Sequence, residues 1–263
     1  MKSVHTFVVL AYQESKHLEE CIKSVLNQKY KSNVVIATST PNKYISKLAK
    51  KYKLEVIENP KPGRGIGNDF DFASNCVKSN LVTIAHQDDI YDEEYSKKIV
   101  NNYIRSKDSS IIFTDYYEIR KNKVVYKNIN LVIKRILLFP MRFNLGKFRF
   151  FRRFILRFGN AICCPAVTFV QENVPKKKFE VDMKCDIDWY AWEKISNLDK
   201  SFIFIPDKLM GHRISEETTT TQIINEGIRT KEDYEMYKKF WPNWIAKIIN
   251  KLYKNSEKSN NYK

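Results

Sequence analysis

The chain has 263 residues, of which 43% are hydrophobic, and it contains only seven glycines and eight prolines. This composition excludes a disordered or fibrous chain, and the length allows one large domain with a sizeable core. No stretch of about 18 uncharged apolar residues occurs, so we expect no membrane-spanning helix. The apolar run at residues 7–11 is too short for a signal peptide, which predicts a cytoplasmic protein.

The net charge of +16 is concentrated in one part of the chain. Residues 119–171 contain no Asp or Glu and twelve Lys or Arg residues. A segment this basic indicates an anionic partner, which could be a phospholipid surface, a nucleic acid or a phosphorylated substrate.

The cysteine content argues against a disulfide framework. The count is odd and no pair has the spacing of a metal site. We interpret all five as small apolar residues, namely Cys21, Cys76, Cys163, Cys164 and Cys185.

The first half of the chain alternates between short apolar, β-rich runs and segments whose apolar residues have helical spacing. Strands are predicted at residues 6–11, 33–38, 54–58 and 81–85, and helices at residues 14–27, 41–51 and 68–79. This alternation predicts an α/β fold with a mostly parallel sheet and helices on both faces. Such sheets bind ligands at the carboxyl ends of their strands, so chemistry is expected in the loops that follow them.

The second half is less regular. A helix is predicted at residues 93–106, a strand at 110–115, a hairpin at 116–126, a strand at 166–170, a helix at 187–196, a strand at 202–206 and a helical tail from residue 231. We divide the chain into a regular α/β half (1–128), a second half of the same domain with a basic insertion (129–221) and a basic helical tail (222–263).

Two adjacent carboxylates, Asp88 and Asp89, follow the predicted strand at residues 81–85. Like charges side by side repel unless a cation lies between them, and Mg²⁺ favours carboxylate and phosphate oxygens. Their alternative role is an acidic turn that caps the helix beginning near Asp92, with one carboxylate solvated.

Two segments resemble known enzymes. Residues 7–14 and 18–28 read FVVLAYQE and LEECIKSVLNQ, and they resemble the opening of family-2 glycosyltransferases. Residues 84–91 read IAHQDDIY and are similar to the Asp-x-Asp motif of that family, with Gln before the two acids. The resemblance covers residues 4–221 and implies a GT-A fold and an inverting sugar transfer, with residues 1–128 as the nucleotide-sugar half and residues 129–221 as the acceptor half.

The resemblance assigns the donor site to residues of the predicted loops. It implies that Asp89, together with Asp88, binds Mn²⁺ or Mg²⁺, which would neutralise charge on the departing diphosphate. The remaining residues implied to contact the nucleotide-sugar are Ala11, Tyr12, Glu14, Gly67, Asn68 and Gln87.

The chain departs from the family after the second strand. Family members carry a carboxylate there that reads the base, whereas residues 37–41 read ATSTP. Thr38 or Ser39 could hydrogen-bond a base, with less selectivity than a carboxylate, so uracil recognition lacks its usual residue.

The resemblance also implies a general base. Asp186 aligns with the Asp of the family's Glu-Asp segment, with Cys185 in place of the Glu and Asp188 as the fallback. The alternative role of Asp186 is the N-cap of the helix at residues 187–196.

A late segment resembles the family's Arg-x-His loop. His212 and Arg213, followed by four threonines at residues 218–221, could clamp the diphosphate when that loop closes. The order of His and Arg differs from the usual pattern, and an ordinary hydroxyl-rich loop is the alternative.

The basic segment has an amphipathic pattern. A helix over residues 145–158 would place Arg149, Arg152, Arg153 and Arg157 opposite most of its phenylalanines, which is typical of a helix at a membrane interface. The tail repeats the pattern with Trp241 and Trp244 beside lysines. An ordinary core-facing helix with a solvated basic face is the alternative.

We therefore expect an inverting transferase that moves a sugar, from a UDP-sugar, to a glycan or lipid-linked acceptor in bacterial surface polysaccharide (capsule) synthesis. It would lie peripherally on the anionic inner face of the plasma membrane.

A sugar nucleotidyltransferase is the alternative enzyme, although residues 11–14 lack its Gly-rich loop. A basic nucleic-acid-binding protein is the alternative outside enzymes; without zinc spacing or an RNA-binding signature, we expect no nucleic-acid partner.

Overall fold

The computed structural model describes residues 3–214 and 227–260, with side chains described as far as residue 252. The strands are β1 (His5–Ala11), β2 (Asn33–Thr38), β3 (Glu55–Glu58), β4 (Leu81–His86), β5 (Ile90–Tyr91), β6 (Ser109–Arg120), β7 (Lys123–Val125), β8 (Val167–Val170) and β9 (Ser201–Ile214). The helices are α1 (Leu18–Leu26), α2 (Lys43–Tyr52), α3 (Ile66–Asn75), α4 (Tyr95–Arg105), α5 (Ile129–Leu138), α6 (Arg149–Phe154), α7 (Ile187–Ser196), α8 (Ile228–Lys238) and α9 (Asn243–Asn260).

The described strands form one sheet in the order β3-β2-β1-β4-β8-β6-β9-β5, with β7 paired to β6. β1 pairs in parallel with β2 and β4, β2 with β3, and β6 with β9. β8 runs antiparallel between β4 and β6. The predicted α/β fold with a mostly parallel sheet is confirmed, and strands from both halves of the chain build it. The division into 1–128, 129–221 and 222–263 stays a prediction.

The core lies on both faces of the sheet because side chains alternate along each strand. On β1, Val8 belongs to one apolar cluster with α3 and α7, while Phe7 and Val9 belong to the other with α1, α2 and α4. Helices therefore cover both faces, as the alternating pattern predicts. The five cysteines are free, and three of them are buried.

β9 is longer than the sequence predicts. The expected strand at residues 202–206 continues through Ile214, so His212 and Arg213 lie in a strand and not in a loop. The exposed Asp207 and Lys208 interrupt the apolar pattern at a register shift against β6, which hid the continuation. Thr218–Thr221 lie outside the described residues.

The predicted amphipathic helix at residues 145–158 is wrong in extent. A 3₁₀ turn (Leu145–Lys147) precedes a short α6, in which Arg152 and Arg153 face the protein and Arg149 is exposed. Arg152 is buried and donates to the carbonyls of Ser196 and Leu198, while Arg153 pairs with Glu193 at 2.6 Å. Because carbonyls and a carboxylate on or next to α7 accept these guanidinium groups, they do not form a solvated basic face.

The tail forms α8 and α9, which confirms the predicted helical C-terminal region. Among the described residues, none of the helices combines the length and apolar character needed to cross a bilayer.

Candidate active site

The ends of β1 and β4 are joined by one side chain. The amide of Gln87 accepts from the Tyr12 N–H at 2.9 Å and donates to the Tyr12 carbonyl at 3.0 Å. Ala11 is buried, whereas the Tyr12 side chain is 52% exposed. Gln87 thus holds the Tyr12 backbone at the rim of the sheet, and its expected contact with the sugar-diphosphate stays a prediction.

The loop after β1 is tied to the loop after β2. The Gln13 N–H donates to the Thr40 hydroxyl at 2.6 Å, and the Asn42 amide donates to the Gln13 carbonyl at 3.2 Å. Gln13 adopts a positive φ of 53°, which turns the chain sharply there. The next residue, Glu14, is exposed and free to meet a ligand.

Asp89 is fully buried. Its Oδ1 accepts from the Arg213 N–H at 2.8 Å and lies 3.0 Å from His212 Nδ1. Asp92, rather than Asp88 or Asp89, provides the hydrogen bond at the start of the next helix, since its carboxylate accepts from the Glu94 N–H. The alternative of a solvated acidic turn therefore does not hold for Asp89.

Strand pairing brings His212 and Arg213 to Asp89. β5 pairs antiparallel with β9, with Ile90 opposite Gly211. The guanidinium of Arg213 is buried and donates to the Asp88 carbonyl and to Glu20, the latter at 2.7 Å. Arg213 thus fastens the turn that carries the two acids, and its expected contact with a diphosphate stays a prediction.

Charges in this cluster perturb one another. Burial and the adjacent Asp89 raise the pKa of Asp88 to about 6. Burial acts to lower the pKa of His212, but Asp89 and Asp88 outweigh it, so that pKa is raised. Burial lowers the pKa of His86 to about 4, and its Nε2 has no hydrogen-bond partner among the described residues. The cluster therefore has a negative potential that a cation would relieve.

Asp186 and Asp188 begin α7 in different surroundings. Asp186 makes no capping hydrogen bond with its side chain, and its Oδ2 is buried without a hydrogen-bond partner in the described part of the chain. Burial, and then Asp233, raise the pKa of Asp186 well above its usual range. Both oxygens of Asp188 accept hydrogen bonds, from Asn160 and from the Trp189 N–H.

Glu232 of α8 holds the backbone before α7. Its carboxylate accepts from the N–H groups of Lys184, Cys185 and Asp186 at 2.8, 2.7 and 3.1 Å. A carboxylate from a helix more than 40 residues further along the chain therefore orients the backbone at Cys185 and Asp186. No local sequence signal indicated this contact.

The region with this geometry matches a known family model. The model, described as glycosyl transferase family 2, aligns with residues 6–166, which is more than half of the chain. The chain belongs to glycosyl transferase family 2. A search of curated proteins found no significant match.

Solved structures share the GT-A fold of this family-2 glycosyltransferase. Residues 1–349 of TarS from S. aureus, in complex with UDP-GlcNAc, match with a TM-score of 0.63 and 14% identity, over 95% of this chain and 70% of that one. The mannosyltransferase PcManGT from Pyrobaculum calidifontis, in complex with GDP-Man and Mn²⁺, matches with a TM-score of 0.60, 14% identity and the same coverages. Identities this low establish the shared fold alone.

The donor set of this glycosyltransferase fits a divalent metal in part. Mg²⁺ commonly takes one or two carboxylates and completes its shell with substrate phosphates. Asp88 and Asp89 supply two carboxylates, and His212 lies against Asp89. No group of three or more His, Cys, Asp or Glu side chains in the described ranges is arranged to hold a metal alone. The phosphates of a bound donor would have to supply the remaining ligands.

A carboxylate from α3, Asp69, lies beside the end of β2. Asp69 Oδ1 accepts from the Ser39 hydroxyl and from the Asn59 amide, the latter at 2.9 Å. The Asn59 amide also donates to Ser39 Oγ at 3.0 Å. Thr38, the other residue expected there, is buried and accepts from the Thr40 N–H. Sequence reasoning missed Asp69 because it lies 30 residues from Ser39.

Gly67 and Asn68 lie in the first turn of α3, where both contact backbone carbonyl groups of other segments. A Cβ on Gly67 would stand 2.5 Å from the Phe179 carbonyl oxygen, so the helix can approach that backbone only with glycine. The Asn68 amide donates to the Lys61 carbonyl at 3.1 Å. Their expected contacts with the ribose or diphosphate stay a prediction.

Proposed function

We propose that this glycosyltransferase moves a sugar, with inversion, from a nucleotide-diphosphate sugar, namely a UDP-sugar, to a glycan or lipid-linked acceptor. The observation that carries the proposal is the Asp88–Asp89 turn at the end of β4, with His212 against the buried Asp89. A TarS structure holds UDP-GlcNAc and the PcManGT structure holds GDP-Man with Mn²⁺. Both ligands are nucleotide-diphosphate sugars, which supports the donor class.

In this proposal, Asp89 and Asp88 hold Mn²⁺ or Mg²⁺ together with the donor diphosphate. The ion supplies Lewis-acid stabilisation of the departing diphosphate. His212 orients the Asp89 carboxylate through its Nδ1, and Arg213 keeps the turn in place through the Asp88 carbonyl. Outer partners of this kind set ligand orientation in metal sites.

Asp186 takes the proton from the acceptor hydroxyl, and Asp188 is the fallback. Asp186 Oδ2 is buried, and burial together with Asp233 raises the pKa of this carboxyl, which makes its ionised form a stronger proton acceptor. The hydrogen bonds to both oxygens of Asp188 make it the weaker candidate.

Base recognition is assigned to Asp69 with Ser39. Asp69 places a carboxylate beside the end of β2, where the family's own acid would stand. A carboxylate oxygen accepts the N–H of a uracil, which a hydroxyl alone does with less selectivity. This arrangement supports a uridine donor although residues 37–41 lack an acid.

The acceptor and the setting are inferred from charge. A family-2 enzyme with a +16 chain and an acid-free segment at residues 119–171 suits an acceptor held at an anionic surface. We propose a cytoplasmic enzyme that lies peripherally on the inner face of the plasma membrane and builds bacterial surface polysaccharide such as capsule.

The donor proposal is tested by binding. Thermal shifts and calorimetry with UDP-, GDP- and ADP-sugars, with and without Mn²⁺, should show metal-dependent binding of a UDP-sugar. Asp89→Asn should weaken that binding, and His212→Gln should weaken it about 10- to 100-fold. Asp108→Asn, which removes only an exposed ion pair with Lys200, is the control. Full metal-dependent binding by Asp89→Asn would refute the site.

A further inference from the structure

The helix α5 buries Leu131 and Leu138 but presents three isoleucines to solvent, while Lys134 and Arg135 contact the protein. Ile129, Ile133 and Ile136 recur at helical spacing on one side and are exposed. On the other side, Arg135 donates to Asp115 at 2.8 Å and Lys134 donates to the Tyr116 hydroxyl at 2.9 Å. A surface helix normally carries polar residues on its solvent side, so this row of exposed isoleucines requires an explanation.

The exposed apolar surface continues beyond the helix. Phe139 and Phe143 follow in a 3₁₀ turn, with ring centroids 5.4 Å apart in an edge-to-face arrangement. We call these five residues the α5 apolar face: Ile129, Ile133, Ile136, Phe139 and Phe143, each between 51% and 69% exposed. Grouped exposed apolar side chains mark interaction sites, whereas scattered ones do not.

Cations flank this face, and the acids beneath it are neutralised. Lys127, Arg142 and Lys147 are exposed, and none forms an ion pair with another described residue. The nearby carboxylates of β6 are buried and paired, Asp115 with Arg135 and Glu118 with Arg120. The surroundings of the α5 apolar face are therefore positive.

We propose that the α5 apolar face inserts into the interface of a bilayer that contains anionic phospholipid. Apolar side chains enter the headgroup–acyl boundary while flanking Lys and Arg meet phosphate headgroups, which is how interfacial helices bind. A second copy of the chain would bring two positively charged rims together and is disfavoured. This inference rests on the membrane setting of the proposed function. It moves the contact to α5 from residues 145–158, where Arg152 and Arg153 contact groups on or next to α7.

Vesicle sedimentation tests the proposal with the full chain. The protein should bind vesicles of phosphatidylcholine mixed with phosphatidylglycerol, bind phosphatidylcholine alone much less, and release as salt rises. Ile136→Glu should lower the partition constant at least about tenfold, since burial of one isoleucine contributes roughly that factor. Ile136→Ser should lower it without a change in charge.

The matched control is Ile104→Glu, because Ile104 of α4 is 64% exposed and Ile136 is 66% exposed. Ile104→Glu should bind vesicles like the unaltered protein, and all variants should keep their circular dichroism and UDP-sugar binding.

Equal losses of vesicle binding in both glutamate variants, or no binding of the unaltered protein at low salt, would overturn the proposal. So would a dimer in analytical ultracentrifugation that Ile136→Glu disrupts without vesicle binding. Loss of UDP-sugar binding with retained vesicle binding would count against the enzymatic proposal alone.

Discussion

Asp89 and His212 are 123 residues apart in the chain, yet His212 Nδ1 lies 3.0 Å from Asp89 Oδ1. The contact exists because the two-residue strand β5 pairs with the last part of β9. A buried carboxylate costs free energy unless polar partners compensate it, and His212 and the Arg213 N–H are those partners. The pair therefore joins the early acidic turn to the end of the sheet and builds the site from both halves.

The two aspartates of α7 can be separated by kinetics. Asp186→Asn should lower kcat about 10²- to 10⁴-fold, because the acceptor proton loses its base, while the donor binds normally. Asp188→Asn should reduce kcat much less. Transfer rates at saturating donor, with donor affinity from calorimetry, measure both effects. The reverse ranking would assign the base to Asp188, and small effects for both would place it elsewhere.

Asp69 should decide which base binds. Asp69→Asn should weaken UDP binding roughly tenfold or more, since a hydrogen bond to a charged group contributes about 1.5–3 kcal/mol. GDP and ADP should lose less, so the preference for UDP should shrink. Asp207→Asn, which removes an exposed partner of Lys98, is the control. Equal losses for all three nucleotides would mean that Asp69 only supports Ser39 and Asn59.

Gly67 offers a test of packing against binding. Gly67→Ala should destabilise the fold by about 1–3 kcal/mol, because its Cβ would meet the Phe179 carbonyl oxygen at 2.5 Å. Helix propensity alone would make the alanine variant more stable by about 1 kcal/mol, so the sign of the change in Tm separates the clash from the propensity effect. An unchanged Tm with weakened nucleotide binding would instead support the expected contact of Gly67 with the donor.

Acid should weaken the fold through His5. The imidazole is fully buried between the hydroxyls of Ser32 and Thr83, and burial lowers its pKa to about 3. At pH values between about 3 and 6.5, His5 is protonated in the unfolded chain but neutral in the folded chain. The contribution of His5 to stability is therefore complete above about pH 6.5 and is lost as the pH falls towards 3.

The variant His5→Gln isolates this effect. It should lower Tm at pH 7, because hydrogen bonds are lost, but its Tm should fall less than that of the unaltered protein between pH 6.5 and 4. Differential scanning calorimetry across that range measures the difference. Parallel Tm curves for the two proteins would show that His5 does not titrate as the burial implies.

Local patterns in the sequence predicted elements in both halves of the chain. The β-rich run at residues 33–38 coincides with β2, and the helix predicted at residues 187–196 coincides with α7. Short apolar runs and helical spacing are local signals, which a sequence displays directly. The position of Asp88 and Asp89 just after a strand also followed from local order, and the placement of the candidate site there rests on it.

The tertiary structure decided which partners these residues meet. Only strand pairing brings His212 to Asp89, and only the packing of α3 beside the end of β2 brings Asp69 to Ser39. The orientation of α5 could not be predicted from the sequence either, because the residue pattern does not show which side of the helix packs against the sheet. The structure shows that α5 packs with Leu131 and Leu138 buried and with Arg135 paired to the buried Asp115, whose carboxylate would be costly to leave without a cation.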